Sequence, residues 1–122
     1  MKKLEHDLLT SKHTEVCHEE GMKYNAPHSF EVWPAEYDKN SFRELLLRVH
    51  FQEGPIKERG VNGVFMEDLI AMCICRLEYF QKSEFKCREN ALAITKLEEA
   101  LLWLRKRTMG REQRGVEGTY TK

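Results

Sequence analysis

The feature that most constrains this chain is the stretch from residue 80 to residue 119, where an apolar stripe at helical spacing lies between two polar ends. Residues three and four positions apart share one face of a helix, so the stripe predicts a long amphipathic helix. Its members are Asn90, Ile94, Leu97, Leu101 and Leu104. The apolar middle is what any packed helix requires, and the polar ends are what need an explanation.

Arginines continue this stripe toward the end of the chain. The same steps beyond Leu104 reach Arg107 or Thr108, then Arg111, then Arg114 or Gly115, so the arginines follow the apolar face and do not lie on its solvated back. Gly110 weakens the helix here, and the segment RGVEGT follows with two glycines. Two interpretations remain open on these residues alone: a surface that binds an anion, or a fraying helix end followed by a polar tail.

A second helix is predicted to precede the first and to pack against it. From about Phe65, apolar residues again recur at steps of three and four, and a short polar break at residues 81–86 separates the two patterns. So short a connection requires an antiparallel helical hairpin, with Phe80 and Asn90 at the same tip. A ring for stacking beside an amide would suit a base pocket, and a loop aromatic beside a helix start is the alternative.

The length of the helix that carries Asn90 and the arginines limits how its two ends can act. Asn90 and Arg107 are about 25 Å apart along a helix axis, at about 1.5 Å per residue, which exceeds the size of a cyclic dinucleotide. If both ends hold one ligand, they must come from different copies of the chain, and two-fold symmetry would then give two equivalent sites. The apolar residues available for such an interface are Ile70, Ile74, Leu92, Leu102 and Trp103, with Trp33 as an addition.

The first half of the chain predicts a small sheet. Residues 29–33 and 44–52 alternate between apolar and polar side chains, as strands of an antiparallel sheet do, with a helix as the alternative at residues 45–47. A turn is expected at residues 35–41. Residues 54–64 predict a loop, either a plain connection or a backbone nest for an anion. Residues 1–28 are polar and predict a loosely ordered lead-in.

The expected fold is therefore α+β: a small N-terminal antiparallel β-sheet, then a C-terminal antiparallel helical hairpin that mediates oligomerisation. Residues 29–122 form one domain in this interpretation, with a β-rich part at 29–63 and the hairpin with its Gly-rich tail at 64–122.

Composition excludes several classes of function. Lys plus Arg and Asp plus Glu each number 20, and this zero net charge argues against a binder of polymeric nucleic acid. No apolar run is long enough to cross a membrane. Cys73 and Cys75 point in different directions on a helix, so the four cysteines predict free thiols acting as small hydrophobes in a reducing cytoplasm. His13, Cys17 and His18 lack a second cluster at ligand spacing, which argues against a metal site.

Four segments carry a resemblance to a known family. FQEGPIKERGVNG, EDLIAMCICRLEYFQ, CRENALAITKLEEALLWL and RGVEGT, between residues 51 and 119, resemble the phage anti-Thoeris sponge family of the first type, which shares a hairpin domain with phage anti-CBASS sponges. The resemblance implies a non-enzymatic protein that needs no cofactor and sequesters glycosidically linked cyclic ADP-ribose made by TIR proteins in the infected cell. It also implies cyclic trinucleotides at a separate site in some members, and dimers or hexamers built from dimers.

The resemblance also implies roles for particular residues. Phe80 would stack on adenine, and Asn90 would hydrogen-bond nearby. Arg107 and Arg111 would contact the pyrophosphate, with Arg114 and the backbone of Gly118 and Thr119 close to the ligand.

Two other classes of function stay open on the residues alone. One is a small helical nucleotide pyrophosphohydrolase that would use Glu67, Asp68, Glu98 and Glu99 with magnesium. Glu98 and Glu99 flank the apolar stripe, which favours solvated carboxylates over metal ligands. The other is an adaptor that binds a protein through the face of the hairpin.

Overall fold

The computed structural model describes residues 1–36, 40 and 42–122. It consists of two compact units, Met1–Val64 and Phe65–Lys122. The first is built on strands and the second on helices. The turn expected at residues 35–41 lies partly outside the described residues.

The first unit contains a sheet of four strands in chain order, each antiparallel to its neighbour. The strands are β1 (Lys2–Lys3), β2 (Thr14–His18), β3 (Ser29–Pro34) and β4 (Leu47–His50). Val32 of β3 pairs with Val16 on one side, and Phe30 of β3 pairs with Val49 on the other. The predicted α+β class with an N-terminal antiparallel sheet is confirmed.

Strands β1 and β2 correct the expectation of a loosely ordered lead-in over residues 1–28. Each residue of β2 from Thr14 to His18 pairs with one of β3, so β2 supplies the backbone hydrogen bonds that β3 needs on that edge. Residues remote in sequence also hold Glu15: a guanidinium nitrogen of Arg43 lies 2.8 Å from its carboxylate, and the Lys3 ammonium lies 3.9 Å from it. Polar composition concealed these strands because their stabilising partners are remote in sequence.

Strand β4 is shorter than the predicted strand over residues 44–52, and residues 42–46 form no regular element. The helix alternative at residues 45–47 is not adopted. The backbone amide of Leu46 donates to the carbonyl of Val32 at 2.9 Å, and Phe51 forms a single parallel bridge with Val64. Backbone hydrogen bonding to β3 therefore holds the leucine run in an extended conformation.

The loop expected at residues 54–64 contains one helical turn, α1 (Ile56–Arg59). Side chains tie the loop to itself: the Gln52 amide donates to the carbonyls of Gly54 at 3.1 Å and Gly60 at 2.7 Å. The Asn62 side chain accepts from the amide of Glu53 and donates to its carbonyl, both at 2.8 Å. Periodicity could not reveal this turn because side-chain contacts to the backbone stabilise it, not an apolar face.

The second unit is the predicted helical hairpin, with α2 (Met66–Gln81) and α3 (Arg88–Gln113) packed against each other. Helix α2 begins with a capping contact in which the amide of Phe65 donates to the Asp68 carboxylate at 2.9 Å. Gln81 closes the connection, because its side chain donates to the carbonyl of Cys87 and accepts from the amide of Cys87, both at 3.0 Å. The connection is short and internally bonded, so the tip of the hairpin has a defined shape.

Very little of the described chain is buried. No residue of α2 or α3 is buried, and among the described residues only His28, Val49 and Pro55 are. Leu102 and Trp103 of α3 are 70% and 67% exposed. A folded chain of this length normally removes a much larger share of its apolar surface from water. The hairpin thus presents an apolar surface that its own unit does not cover.

All four cysteines are free thiols, as expected. Cys73, Cys75 and Cys87 are exposed, so within the single chain they do not pack as the small hydrophobes that were predicted. Periodicity placed Cys73 on an apolar stripe, but only part of that stripe is covered in the single chain. In the ranges 1–36, 40 and 42–122, no helix combines the length and the apolar character that a membrane span needs.

Candidate functional site

The tip of the hairpin carries the first two predicted site residues. Phe80 lies in the last turn of α2 and Asn90 in the first turn of α3, on either side of the connection that Gln81 closes. The Phe80 carbonyl accepts from the hydroxyl of Ser83 at 2.6 Å, which orders the chain as it leaves α2. Phe80 is 37% exposed, so part of its ring is available to a ligand.

Arg76 is a tip residue that was not among the predicted site residues. The central carbon of its guanidinium lies 5.2 Å from the centroid of the Phe80 ring, within the range of a cation–π contact. The spacing of four residues on one helix was the available signal. The contact occupies one face of the ring, so a stacked base would use the other face, and it adds positive charge beside that base.

The other end of the hairpin carries the predicted arginines around an open depression of about 440 Å³. Four cationic residues, one aromatic residue and one glycine line it: Lys106, Arg107, Arg111, Arg114, Trp103 and Gly110. No acidic residue is part of this lining. Trp103 was expected at an interface, and Lys106 had no predicted role. The structure adds both to the arginine cluster, with the Lys106 ammonium 5.1 Å from the Trp103 ring centroid.

The three arginines differ in what they contact. One terminal nitrogen of Arg111, Nη2, donates to the carbonyls of Val116 and Thr119, each at 3.0 Å. Arg114 donates through Nη1 to the carbonyl of Lys122 at 2.9 Å. Arg107 has no hydrogen-bond or ion-pair partner in the described part of the chain. The arginine predicted as the first pyrophosphate contact is therefore the one with all its donors unused.

The tail after α3 is compact. Helix α3 continues through Gly110 to Gln113, and the amide of Val116 then donates to the carbonyl of Arg111 at 3.0 Å. Gly115 and Gly118 have φ angles of +73° and +74°, which only glycine adopts at little cost. The fraying tail that was one alternative is not what the structure shows. Predicted site residues Gly118 and Thr119 lie in this folded tail.

Comparisons with known proteins agree with the hairpin and extend beyond it. A family model described as the Acb2/Tad1 hairpin domain matches residues 44–109, more than half of the chain. The chain belongs to the Acb2/Tad1 hairpin family. A protein of Bacillus phage SBSphiJ7 named Thoeris anti-defense 1 is 54% identical over 142 aligned positions, which cover all of both chains. The resemblance to anti-Thoeris proteins noted in the sequence is thereby confirmed.

Some of the candidate site residues lie inside the range that matches the family model, and others lie beyond it. Phe80, Asn90 and Arg107 lie inside residues 44–109, whereas Arg111 and the tail after it lie beyond that range. The similarity to the Bacillus phage protein covers the tail as well. The hairpin match therefore includes the tip and the first arginine, and the full-length relative is the comparison that reaches the rest.

The two ends of α3 in this Acb2/Tad1 hairpin do not meet within one chain. Helix α3 is continuous from Arg88 to Gln113, so the axial separation of Asn90 and Arg107 is about 25 Å, as the sequence predicted. The structure places Phe80 with Asn90 at one end. It places Arg107, Arg111, Arg114 and the tail at the other.

The carboxylates weighed for a pyrophosphohydrolase do not form a metal site in this Acb2/Tad1 hairpin. Asp68 caps α2 at the amide of Phe65, and Glu99 pairs with Lys96 at 3.6 Å. Glu98 is exposed. Across residues 1–36, 40 and 42–122, no group of three or more His, Cys, Asp or Glu side chains is placed to hold an ion. The geometry thus offers no support for magnesium-dependent hydrolysis.

Proposed function

We propose that this chain is a phage anti-defence protein that binds a cyclic ADP-ribose-type signal nucleotide in the cytoplasm of the infected host and sequesters it uncleaved. The observation that carries the proposal is the depression lined by Lys106, Arg107, Arg111 and Arg114, without an acidic residue. Guanidinium groups bind phosphate oxygens through paired, charge-assisted hydrogen bonds, so a pyrophosphate suits this lining. The family membership and the name of the Bacillus phage relative support the anti-defence role.

The tip supplies what the nucleoside part of such a ligand requires. Any base can stack on an aromatic ring, because every base has an aromatic face. Phe80 offers a partly exposed ring with Arg76 on its other face. Asn90 carries both a donor and an acceptor and can pair with a polar edge of the ligand. Tip and arginine cluster together match the two halves of a nucleotide, one aromatic and one anionic.

Each complete site draws on two copies of the chain in this proposal. A separation of about 25 Å along α3 prevents one chain from bringing both ends to one small ligand. The uncovered apolar surface of α2 and α3 supports association into a homodimer, or a hexamer of dimers, because burying that surface is favourable. Under two-fold symmetry the tip of one hairpin lies beside the arginine cluster of its partner.

Retention without turnover follows from the groups present. Arginine contacts and a stacked base bind the ground state of the ligand, and they accelerate no reaction unless they bind a transition state more tightly. A hydrolase would also need a group that activates water. Two of the carboxylates considered for that role, Asp68 and Glu99, are instead engaged in a helix cap and a surface ion pair. Binding is therefore the activity that the residues support.

The test is a release experiment. The purified protein is incubated with a cyclic ADP-ribose-type nucleotide, separated from unbound ligand, denatured by heat and analysed by mass spectrometry. We expect intact nucleotide in the heat-released fraction. Cleaved nucleotide would favour the hydrolase, and nucleotide that stays free before heating would favour the adaptor. Cyclic trinucleotides are tested in parallel, and their retention together with the first ligand would indicate a separate site.

Replacing Arg76 with alanine is expected to weaken nucleotide binding about two- to fivefold. An exposed cation–π contact contributes about 0.5–1 kcal/mol, and its loss frees the Phe80 ring to adopt other orientations. Titration calorimetry on wild type, Arg76→Ala and Arg76→Lys measures the change, with the lysine variant retaining most of the affinity. Equal affinity of the alanine variant and the wild type would contradict the role given to Arg76.

Replacing Leu102 with aspartate is expected to dissociate the oligomer. Leu102 is 70% exposed on α3, and a charge at a buried interface position costs several kcal/mol unless it is paired. Sedimentation velocity measures the assembly of wild type and variant. Leu8→Asp is the matched control, because Leu8 is 85% exposed but lies outside the hairpin. An unchanged sedimentation coefficient for Leu102→Asp would exclude this face as the interface.

A further inference from the structure

We infer that Arg111 is a positioning residue that holds the backbone of residues 116–119 in place, and that the paired donors for the pyrophosphate come from Arg107 and Arg114. The inference rests on the proposed function and gives the arginines of that same site different roles. It differs from the expectation that Arg111 contacts the pyrophosphate beside Arg107.

Arg111 is tied to the tail through the backbone. Its Nη2 donates to the carbonyls of Val116 and Thr119 at 3.0 Å each, and the side chain is partly buried. The carbonyl of Val116 also accepts from the amide of Thr119 at 3.1 Å and from the Thr119 hydroxyl. These bonds converge on one turn, so Arg111 joins the end of α3 to both ends of residues 116–119.

The geometry of a guanidinium prevents Arg111 from binding the tail carbonyls and making a paired contact with a phosphate at the same time. The group has five N–H donors, and its parallel pairs run along two edges, Nε with Nη2 and Nη1 with Nη2. Both edges include Nη2. With Nη2 donating to two carbonyls, Arg111 has no unoccupied pair left for a phosphate. It can hold the tail or grip a pyrophosphate bidentately, and the structure shows the first.

Arg107 and Arg114 are placed differently. Arg107 has all five donors without a partner among the described residues, so both edges are available. Arg114 uses only Nη1, toward Lys122 at 2.9 Å, which leaves its Nε and Nη2 edge. Both line the same depression as Arg111. Two arginines with a complete edge are what the two phosphates of a pyrophosphate would need.

The contacts of Arg111 with the tail also orient backbone amides of the tail that could bind a phosphate. In the part of the chain that the structure describes, the amides of Glu117 and Gly118 donate to no acceptor, whereas those of Val116 and Thr119 do. By fixing the carbonyls on both sides, Arg111 keeps these two amides in one arrangement. Backbone amides held in a turn can bind phosphate oxygens, and fixing them beforehand reduces the entropy lost on binding.

Hydrogen exchange of the ligand-free, full-length protein tests the contact directly. In Arg111→Ala we expect the amides of Val116 and Thr119 to exchange about tenfold faster or more, because the turn loses the bonds that close it. Arg111→Lys should restore part of the protection, since an ammonium can still donate to both carbonyls. Arg107→Ala is the matched control and should leave exchange in the tail unchanged. Unchanged protection in Arg111→Ala would overturn the inference.

A double-mutant cycle then shows whether Arg111 acts through the tail. Gly118→Ala strains the tail because Gly118 has a φ of +74°. If Arg111 acts through the tail, Arg111→Ala and Gly118→Ala together should weaken nucleotide binding no more than the worse single variant. Additive losses would mean that Arg111 contacts the ligand independently and would overturn the inference. A wild type that binds no nucleotide would overturn the proposed function instead, and the exchange rates would still decide whether Arg111 orders the tail.

Discussion

Arg107→Ala is expected to raise the dissociation constant for a cyclic ADP-ribose-type nucleotide about a hundredfold or more. Each hydrogen bond to a charged group contributes about 1.5–3 kcal/mol, and a paired contact has two of them. Arg107 has no competing partner among the described residues, so all of its donors are available to the ligand and their contribution is lost in the variant. Phe80→Ala should raise this dissociation constant about five- to a hundredfold, because stacking of one base contributes about 1–3 kcal/mol.

The chain provides a matched control for each of these variants. Arg105 lies on the same helix as Arg107, but it pairs with Glu112 at 3.0 Å and is not part of the depression. Phe85 is 68% exposed in the connection between the helices and has no role in the proposal. Titration calorimetry should therefore find Arg105→Ala and Phe85→Ala close to the wild type. Losses in the controls as large as in Arg107→Ala and Phe80→Ala would refute the assignment of those two residues.

Mixing the two weakened variants is expected to restore about one quarter of the wild-type number of high-affinity sites. In a symmetric dimer with random exchange, about half of the dimers contain one Arg107→Ala chain and one Phe80→Ala chain. Such a dimer has one site with both residues replaced and one site with both intact. The restored sites should have wild-type affinity, since they contain an unchanged Phe80 and an unchanged Arg107.

The mixing experiment needs exchange of chains, so the two variants are unfolded together and refolded, and each is also treated alone. Capacity is measured with the nucleotide at a concentration above the wild-type dissociation constant and below those of the two variants, so that only restored sites are filled. A mixture no better than the two separate variants, with mixed oligomers verified by mass spectrometry, would show that each site lies within one chain. The separation of about 25 Å along α3 would then need another explanation.

The hairpin and the opposite placement of Phe80 and Arg107 could be predicted because both follow from helical periodicity. A step of three or four residues determines which side chains share a face, and helix length sets their separation. The same reasoning indicated the arginine cluster. It could not show that Arg111 donates to Val116 and Thr119, because carbonyl acceptors are present in every residue and leave no mark in the sequence.

The N-terminal strands were missed for a related reason. Thr14–His18 has the polar composition of a tail, and it is a strand because β3 offers it a complete backbone edge. The turn at Ile56–Arg59 likewise depends on the Gln52 and Asn62 side chains, which bond to the backbone of the loop. Long-range pairing and side-chain contacts to the backbone thus decided the places where periodicity gave no signal.

Helices α2 and α3 contain no buried residue, and this links the capacity of the proposed site to the amount of protein made. If chains must meet before a site exists, the number of sites at low concentration rises with the square of the protein concentration, as mass action requires. Above the dimer dissociation constant the rise becomes linear. Early in an infection, doubling the synthesis of the protein would then increase nucleotide capture about fourfold, so the rate of early expression would set how quickly the signal is removed.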